Sequence, residues 1–509
     1  MTTTTTSTEP PADEVVTTSL RWSTLGRVGP ALVVITAAVI AVFSVPALAP
    51  YRPWKPGDPV PFWNLLGRPF EGDESRDAEQ RHEEAAEFAR EALAEETPVP
   101  VARPKPVIVE PGDGDGPPPY VRQPGDDKPA KQPLELFTGH ELDPFFAQLA
   151  RSDASIDGAI THVVHWGDSA IGLDGITGAI RQRMQARFGD SGHGFHLMAP
   201  PNTSYRHDAV KFSHNDGWEQ CFIIQNCKKD GRYGLGGATF WSYGGAESVF
   251  APHPERSAGA VTGFDVWYLA QPRGGNLWMR VDKEDPVVVD TESEQVEDRW
   301  HHFELEDGPH ELRVRANPGG QTRVYGVTLE RDVPGVTWDG LALVGAFTRR
   351  LGNYDEQHLR EQLEHRQADL AVFMFGGNDM IRESLTQDQY EGEYREILQL
   401  VKRAKPDIGC LVMAPLDHGD RQGVRIVSKP IVPMLVDAQR AAAKAEGCAF
   451  FDTYLAMGGE GSAGRWYRQE PRLIGGDLGH ATMKGHVVIG ELFYRALLSA
   501  YVDYREREG

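Results

Sequence analysis

Three short stretches of this chain carry residue types suited to acyl chemistry. Gly167-Asp168-Ser169 follows the apolar run His162–Trp166 and precedes residues with helical spacing, Ile176 to Phe188, apolar at 176, 180, 184 and 188. A serine in a strand-to-helix turn has its hydroxyl at the carboxyl end of a strand and its own N–H beside a helix N-terminus. An activated nucleophile needs that placement. Alone, a Gly-Asp-Ser tripeptide is more commonly a turn or a helix cap. Near the C-terminus stands Asp477-Leu478-Gly479-His480. A carboxylate three residues before a histidine orients the imidazole and stabilises its charged form, leaving the other ring nitrogen to take a serine proton. Between them, Gly376-Gly377-Asn378-Asp379 supplies an uncharged amide donor that does not titrate. Taken singly, Asn378 reads as a turn residue and His480 as a surface histidine.

The elements around these stretches decide between the two readings. Asp369–Phe375 is a buried parallel strand by pattern and runs directly into Gly376, while Ile408–Met413 and Ala449–Asp452 are two more. Helical stretches fall between them at Tyr354–Arg366, Gln387–Arg403 and Pro433–Glu446. Strands and helices alternating at this spacing predict a doubly wound α/β sheet with its chemistry at the strand carboxyl ends.

With the blocks in this order, the chain resembles the SGNH hydrolases, the GDSL-type esterase superfamily, over about residues 140–200 and 336–500. Residues 167–169 match the nucleophile block, 376–379 the Asn block and 477–480 the C-terminal Asp-x-x-His block; Leu343-Val344-Gly345-Ala346 is the best match to the looser glycine block. The resemblance implies Ser169 as nucleophile, His480 as general base and then acid, and Asp477 as the orienting carboxylate. It also implies an oxyanion hole built from the Ser169 N–H, the Gly345 N–H and the Asn378 amide, with Asp168 and Gly376 supporting the turns. No cofactor or metal is implied.

About 130 residues separate the two catalytic pieces, too many for a loop. Their texture is β: Phe264–Leu269 reads as a strand, and residues 277–281 and 312–316 alternate apolar with polar or aromatic side chains. Asn317-Pro318-Gly319-Gly320 then turns the chain into Thr322–Leu329. The expectation is a catalytic domain in two parts, 134–200 and 336–509, split by an all-β sandwich at 201–335 that resembles a carbohydrate-binding module. Trp218, Trp241, Trp267, Trp278 and Trp300 fall inside it, as core residues or as platforms for sugar rings. A split of this kind resembles the bacterial peptidoglycan O-acetylesterases, as does the stretch from Gln185 to Phe195. Ala170 departs from the histidine expected after the nucleophile block, which leaves the acyl group open. The resemblance implies removal of O-acetyl groups from an acetylated polysaccharide. The alternatives are acetyl transfer to a glycan hydroxyl and a glycan-binding scaffold whose triad is inactive.

The chain's 509 residues give an ordinary globular balance, 40% hydrophobic and 25% charged, with a net charge of −22. That acidity argues against a nucleic-acid partner. Residues 28–45 form an apolar run long enough, at roughly 27–30 Å, to cross a bilayer core. The expected organisation is a cytoplasmic leader at 1–27, a single-pass inner-membrane anchor at 28–49 and a catalytic domain in the periplasm or extracellular space. The competing reading is a cleaved signal peptide ending near Ala47-Leu48-Ala49. Glu71 to Glu96, with eleven acidic residues, reads as a solvated spacer helix, and Pro98 to Pro133, with eleven prolines, as an extended linker; both belong to the segment 50–133. Cys221 and Cys227 read equally as a small disulfide or as buried thiols, and Cys410 and Cys448 as inert core packing. His193, His196, His207 and His214 lack metal-protease spacing.

Overall fold

A computed structural model of the chain describes residue 41 and residues 73–95, 98, 118–254, 259–382 and 384–508. The chain divides into two units, Met1–Ser75 and Arg76–Gly509. The leader at 1–27 lies outside the described residues, as does the apolar span at 28–49 apart from Ala41. Among the described residues no helix is long and apolar enough to cross a membrane.

Helices α1 (Asp73–Ala94) and α2 (Asp143–Asp153) precede β1 (Ile160–Gly167), which runs through a 3-10 turn at Ser169–Ile171 into α3 (Gly175–Phe188). The β-rich segment follows with β2 (Gly192–Leu197), β3 (Val210–His214), β4 (Glu219–Phe222), β5 (Ala238–Ser242), β6 (Glu247–Pro252) and β7 (Val261–Ala270). It closes with β8 (Asn276–Val281), β9 (Val287–Asp290), β10 (Glu297–Gly308), β11 (Leu312–Asn317) and β12 (Thr322–Glu330). The chain then returns through β13 (Gly335–Ala342), α4 (Glu356–Arg366), β14 (Leu370–Met374), α5 (Gln387–Ala404) and β15 (Gly409–Met413). The hairpin β16 (Gly419–Gln422) and β17 (Arg425–Ser428) leads to α6 (Ile431–Ala445), β18 (Ala449–Phe451), α7 (Thr453–Ala456), α8 (Ser462–Arg468) and α9 (Met483–Glu508).

Five of these strands make a parallel sheet in the order β13-β1-β14-β15-β18. Gly167 at the end of β1 is level with Ala342 of β13 and Met374 of β14, so three strands finish at one edge. The strands are buried on both faces, which is why they read as continuous apolar runs. One face packs on α2, α3 and α9 through residues such as Phe146, Ile180 and Phe493. The other packs on α4, α5 and α6 through Leu363, Leu398 and Leu435.

Two antiparallel sheets, β10-β7-β12-β5-β4 with β2 added on β12, and β3-β6-β11-β8-β9, share one apolar core. That core is continuous with the α4–α6 face of the parallel sheet, so the insertion is packed into the catalytic domain. Trp166 of β1 donates from Nε1 to the Leu235 carbonyl (3.0 Å), and Gly234 N donates to His358 Nε2 on α4 (2.8 Å). β2 belongs to the insertion's sheet, so that sheet begins upstream of the boundary expected at 201. Of the five tryptophans, Trp218 and Trp267 are core, and the three half-buried ones each have a side chain against the ring. Lys228 lies over Trp241, Arg315 over Trp278, and His365 stacks on Trp300 at 4.0 Å.

Two expectations are corrected here. The acidic segment is a helix, but not a solvated one: Ala85, Phe88, Ala89 and Ala92 form a buried stripe. Arg495 of α9 lies over the Phe88 ring (4.7 Å) and pairs with Glu91 (3.0 Å). Within the Pro-rich stretch itself, Asp126 is also buried and accepts from Arg187 Nε (2.8 Å), so its later part is fixed to the same unit as α1. Cys410 and Cys448 are not free core thiols but a disulfide, with Cα atoms 4.7 Å apart. They immediately precede the paired residues Leu411 and Ala449 of β15 and β18, and adjacent parallel strands bring their side chains together. Cys221 and Cys227 form a second disulfide, and no free cysteine remains.

Candidate active site

Ser169 leaves β1 at the edge where β13 and β14 also end. Gly167 is required there by close approach: a Cβ on it would lie 2.8 Å from the Met374 carbonyl and 2.9 Å from the Ile171 side chain. Ser169 Oγ is 2.7 Å from His480 Nε2, and His480 Nδ1 is 2.7 Å from Asp477 Oδ2. The second carboxylate oxygen of Asp477 accepts from the N–H groups of Gly479 and His480, both at 3.1 Å. Burial opposes the Asp477 charge, but those N–H groups and the imidazole outweigh it and hold the carboxyl below its ordinary value. The tight turn that makes this possible puts Leu478 in the left-handed region, at φ 60°. The side chains of Asp477 and His480 are half exposed, so the relay opens directly to solvent.

The remaining blocks are cross-braced around Ser169. Asp168 is buried; its carboxylate accepts from Ala170 N (2.9 Å) and from Gly377 N (3.0 Å), tying the nucleophile turn to the Asn block. Burial raises its carboxyl to about 6 against those two N–H groups, and the Asp379 charge adds to the rise. Gly376 adopts φ 129°, and a Cβ there would sit 3.1 Å from Pro415. Asn378 Nδ2 donates to the Ala346 carbonyl at 3.1 Å, which fixes its side chain against the loop that contains Gly345. One of its two amide hydrogens is used in this way and the other is left for a ligand. Gly345 itself is exposed at φ 85° with nothing within 4 Å of a Cβ position. Asp379, for which sequence reasoning had no role, accepts from Thr348 N (3.0 Å) and Oγ1 (2.8 Å) and so anchors the same loop from its far side.

A cleft of about 60 Å³ lies over these groups, lined by Ser169, Asn378, Pro415, His418, Gly479 and His480. His418 was not foreseen. It lies in the loop after β15, and its ring fits between Gly377, 3.6 Å from a Cβ there, and Gly479, 2.6 Å from one. Burial chiefly lowers His418 to about 4, with Lys429 and His480 contributing, so at neutral pH it is an uncharged imidazole. Its signal in the sequence is positional: it follows a strand of the doubly wound sheet, as Ser169 and Asn378 do. A larger cavity, about 660 Å³, lies by the amino end of β1 beside Ile160 and His162, at the opposite end of the strand from the relay. Among the described residues no group of three or more His, Cys, Asp or Glu side chains could hold a metal ion. His196 and His207 instead bond the carbonyls of Leu197 and His193, each at 2.7 Å.

The model of the GDSL-like Lipase/Acylhydrolase family matches residues 311–488. The chain carries an SGNH hydrolase domain. The match takes in the glycine, Asn and Asp-x-x-His blocks and stops short of Ser169, which the parallel sheet brings back beside His480. A solved peptidoglycan O-acetylesterase superposes with a TM-score of 0.60 at 19% identity, covering 71% of this chain and 96% of its own, a likeness of fold. A family two carbohydrate esterase from Cellvibrio japonicus (TM-score 0.23, 10% identity, 58% of this chain and 99% of its own) is similar only loosely. So is an acetylxylan esterase from Geobacillus stearothermophilus (TM-score 0.25, 20% identity, 32% and 73%). No curated protein is significantly similar in sequence. The chain is an enzyme of the esterase type.

Proposed function

We propose that this enzyme removes O-acetyl groups from a cell-wall polysaccharide of the peptidoglycan kind through an acetyl-serine intermediate. The observation that carries the reading is the continuous relay from Asp477 through His480 to Ser169, with two 2.7 Å contacts, beside an amide donor on Asn378. Ser169 Oγ attacks the ester carbonyl carbon while His480 Nε2 takes its proton. The oxyanion forms against the N–H groups of Ser169 and Gly345 and the free amide hydrogen of Asn378. Collapse breaks the bond to the sugar oxygen, which leaves with the proton from His480. Water, deprotonated by His480, then attacks acetyl-Ser169, and the C–Oγ bond breaks as His480 returns the proton to Ser169 Oγ, releasing acetate.

A cleft of about 60 Å³ suits a short acyl group, and a half-exposed relay suits a polymer that cannot enter a tunnel. An intact relay favours an enzyme over an inactive glycan-binding scaffold. The reading also places the catalytic unit outside the cytoplasm, anchored through residues 28–49. Two disulfides among the described residues support an oxidising compartment.

The test is acetate release from O-acetylated peptidoglycan by the full-length protein. Ser169→Ala should lower it by about 10⁴-fold or more, leaving only what the oxyanion groups and binding supply. Failure of the unaltered protein to hydrolyse any acetyl ester would sink the reading.

A further inference from the structure

Beside the nucleophile turn, on the side of the inserted sandwich, lies a third cavity, of about 210 Å³, that the acyl chemistry does not use. Phe222, Ile224 and Gln225 form one wall, Leu343 and Val344 another, and Asn202 closes it; no charged side chain lines it. The first wall is the short loop closed by the Cys221–Cys227 disulfide. The loop is also held from both domains, since Ile223 N donates to Gly237 O (2.9 Å) and Asn353 Nδ2 donates to Ile223 O (2.8 Å). The second wall is the start of the loop that carries Gly345, and Leu343 N donates to Gly167 O (2.8 Å), two residues before Ser169. A Cβ on Gly172, three residues after Ser169, would lie 3.2 Å from Val344 Cγ2 and 3.6 Å from the Ser204 carbonyl. The cavity thus adjoins the nucleophile turn.

We propose that this cavity is a glycan subsite that takes an uncharged N-acetylated pyranose next to the acylated sugar hydroxyl. The proposal rests on the esterase reading above and names the part of the substrate that does not react. Its lining fixes the chemistry. Burying a charge here would go uncompensated, so the occupant is neutral. Apolar walls with a few amides suit a ligand that has both a methyl group and amide or hydroxyl groups. Asn202 Oδ1 already accepts from Ser204 N (2.9 Å), which leaves its NH₂ as the donor on offer, and Gln225 adds a second amide. The size is that of one ring with a small substituent. The sandwich therefore contributes to substrate recognition through its disulfide loop.

The experiment compares full-length protein with a double variant, Ile224→Ala with Gln225→Ala, on two esters: an O-acetylated N-acetylglucosamine oligomer and 4-nitrophenyl acetate, which has no sugar. The ratio of kcat/KM for the glycan ester to that for the aryl ester should fall about tenfold. An unchanged ratio overturns the proposal, and so does a variant that shifts acyl-chain preference among aryl esters, because the cavity would then hold the acyl group. In parallel, calorimetry measures binding of the unesterified N-acetylglucosamine tetramer, which needs no turnover. The unaltered protein should bind it and the variant should bind it at least fivefold more weakly; no binding by the unaltered protein overturns the subsite even if the variant fails to fold. Absence of turnover on both esters with tetramer binding intact would instead remove the esterase reading.

Discussion

Asp168 uses both carboxylate oxygens on backbone N–H groups, from Ala170 on the nucleophile turn and Gly377 on the Asn block, so its side chain sets the distance between two parts of the site. Asp168→Asn would turn an NH₂ toward one of those donors. A buried N–H left unpaired costs about 1–3 kcal/mol. If that cost appears in the transition state, kcat on 4-nitrophenyl acetate falls by roughly 10–100-fold with little change in KM; an unchanged kcat would contradict the bracing role. Asn378→Ala should lower kcat further, by about 10²–10³-fold, because it removes an oxyanion donor and the hold on Ala346 together. Ser169, Asn378, Asp477 and His480 were legible in the sequence because each type sits in a block with few chemical alternatives. His418 and Asp379 were not, because their roles depend on which loops the sheet places side by side. A histidine five residues past a strand has no meaning until that strand's neighbours are known.

Helix α1 shows why patterning succeeded for the type of element and failed for its environment. Its composition of Ala, Glu and Arg predicts a helix whether or not it is docked. The docking face is made of Ala85, Phe88, Ala89 and Ala92, and alanine does not stand out as apolar in an acidic sequence. Phe88→Ala should destabilise the unit by about 3 kcal/mol, since the ring is buried and carries Arg495. Chemical denaturation reads the loss, and hydrogen exchange should rise first along residues 76–94; an unchanged midpoint would mean that the helix is not structurally coupled. The disulfide between β15 and β18 is a second element-scale feature that spacing did not disclose, because partners 38 residues apart share only a sheet position. Replacing both cysteines by serine should cost about 3–4 kcal/mol. The β-rich insertion, by contrast, was readable from alternation in β8 and β11 and from the strand-like runs of β7 and β12, although its first strand, β2, was hidden by the absence of any exposed face.

Across the whole molecule, buried histidines set a dependence on pH. Burial lowers His165 and His193 to about 3 and His196 to about 4, with Arg181 and Arg331 adding to the effect at His193. Their folded values lie below the unfolded value near 6.5. The stability from keeping them neutral is therefore fully present above about pH 6.5 and is lost as the pH falls toward the folded values. Three such groups give a slope on the order of 4 kcal/mol per pH unit around pH 5. Asp168, raised to about 6, runs the other way and offsets about 1 kcal/mol per pH unit of this slope around pH 5. Thermal unfolding followed from pH 7 to 4.5 should show a steep fall in Tm, and a flat profile would contradict neutral burial. The sequence offered seventeen histidines without saying which were interior. Only the packing of β1 and β2 decides that.

The order of the parallel sheet has a consequence for how the chain is made. β1 pairs with Gly335–Ala342 on one side and Leu370–Met374 on the other, and both neighbours are synthesised long after it. During translation the segment bearing the nucleophile therefore has no sheet to join until most of the chain has emerged, and such long-range pairing folds slowly. The late strands close around an early one, and the sandwich between them is the first part able to pair its own strands locally. Any fragment that ends before Met374 leaves Ser169 on a strand without its full set of partners. Two halves expressed separately would have to interleave rather than dock.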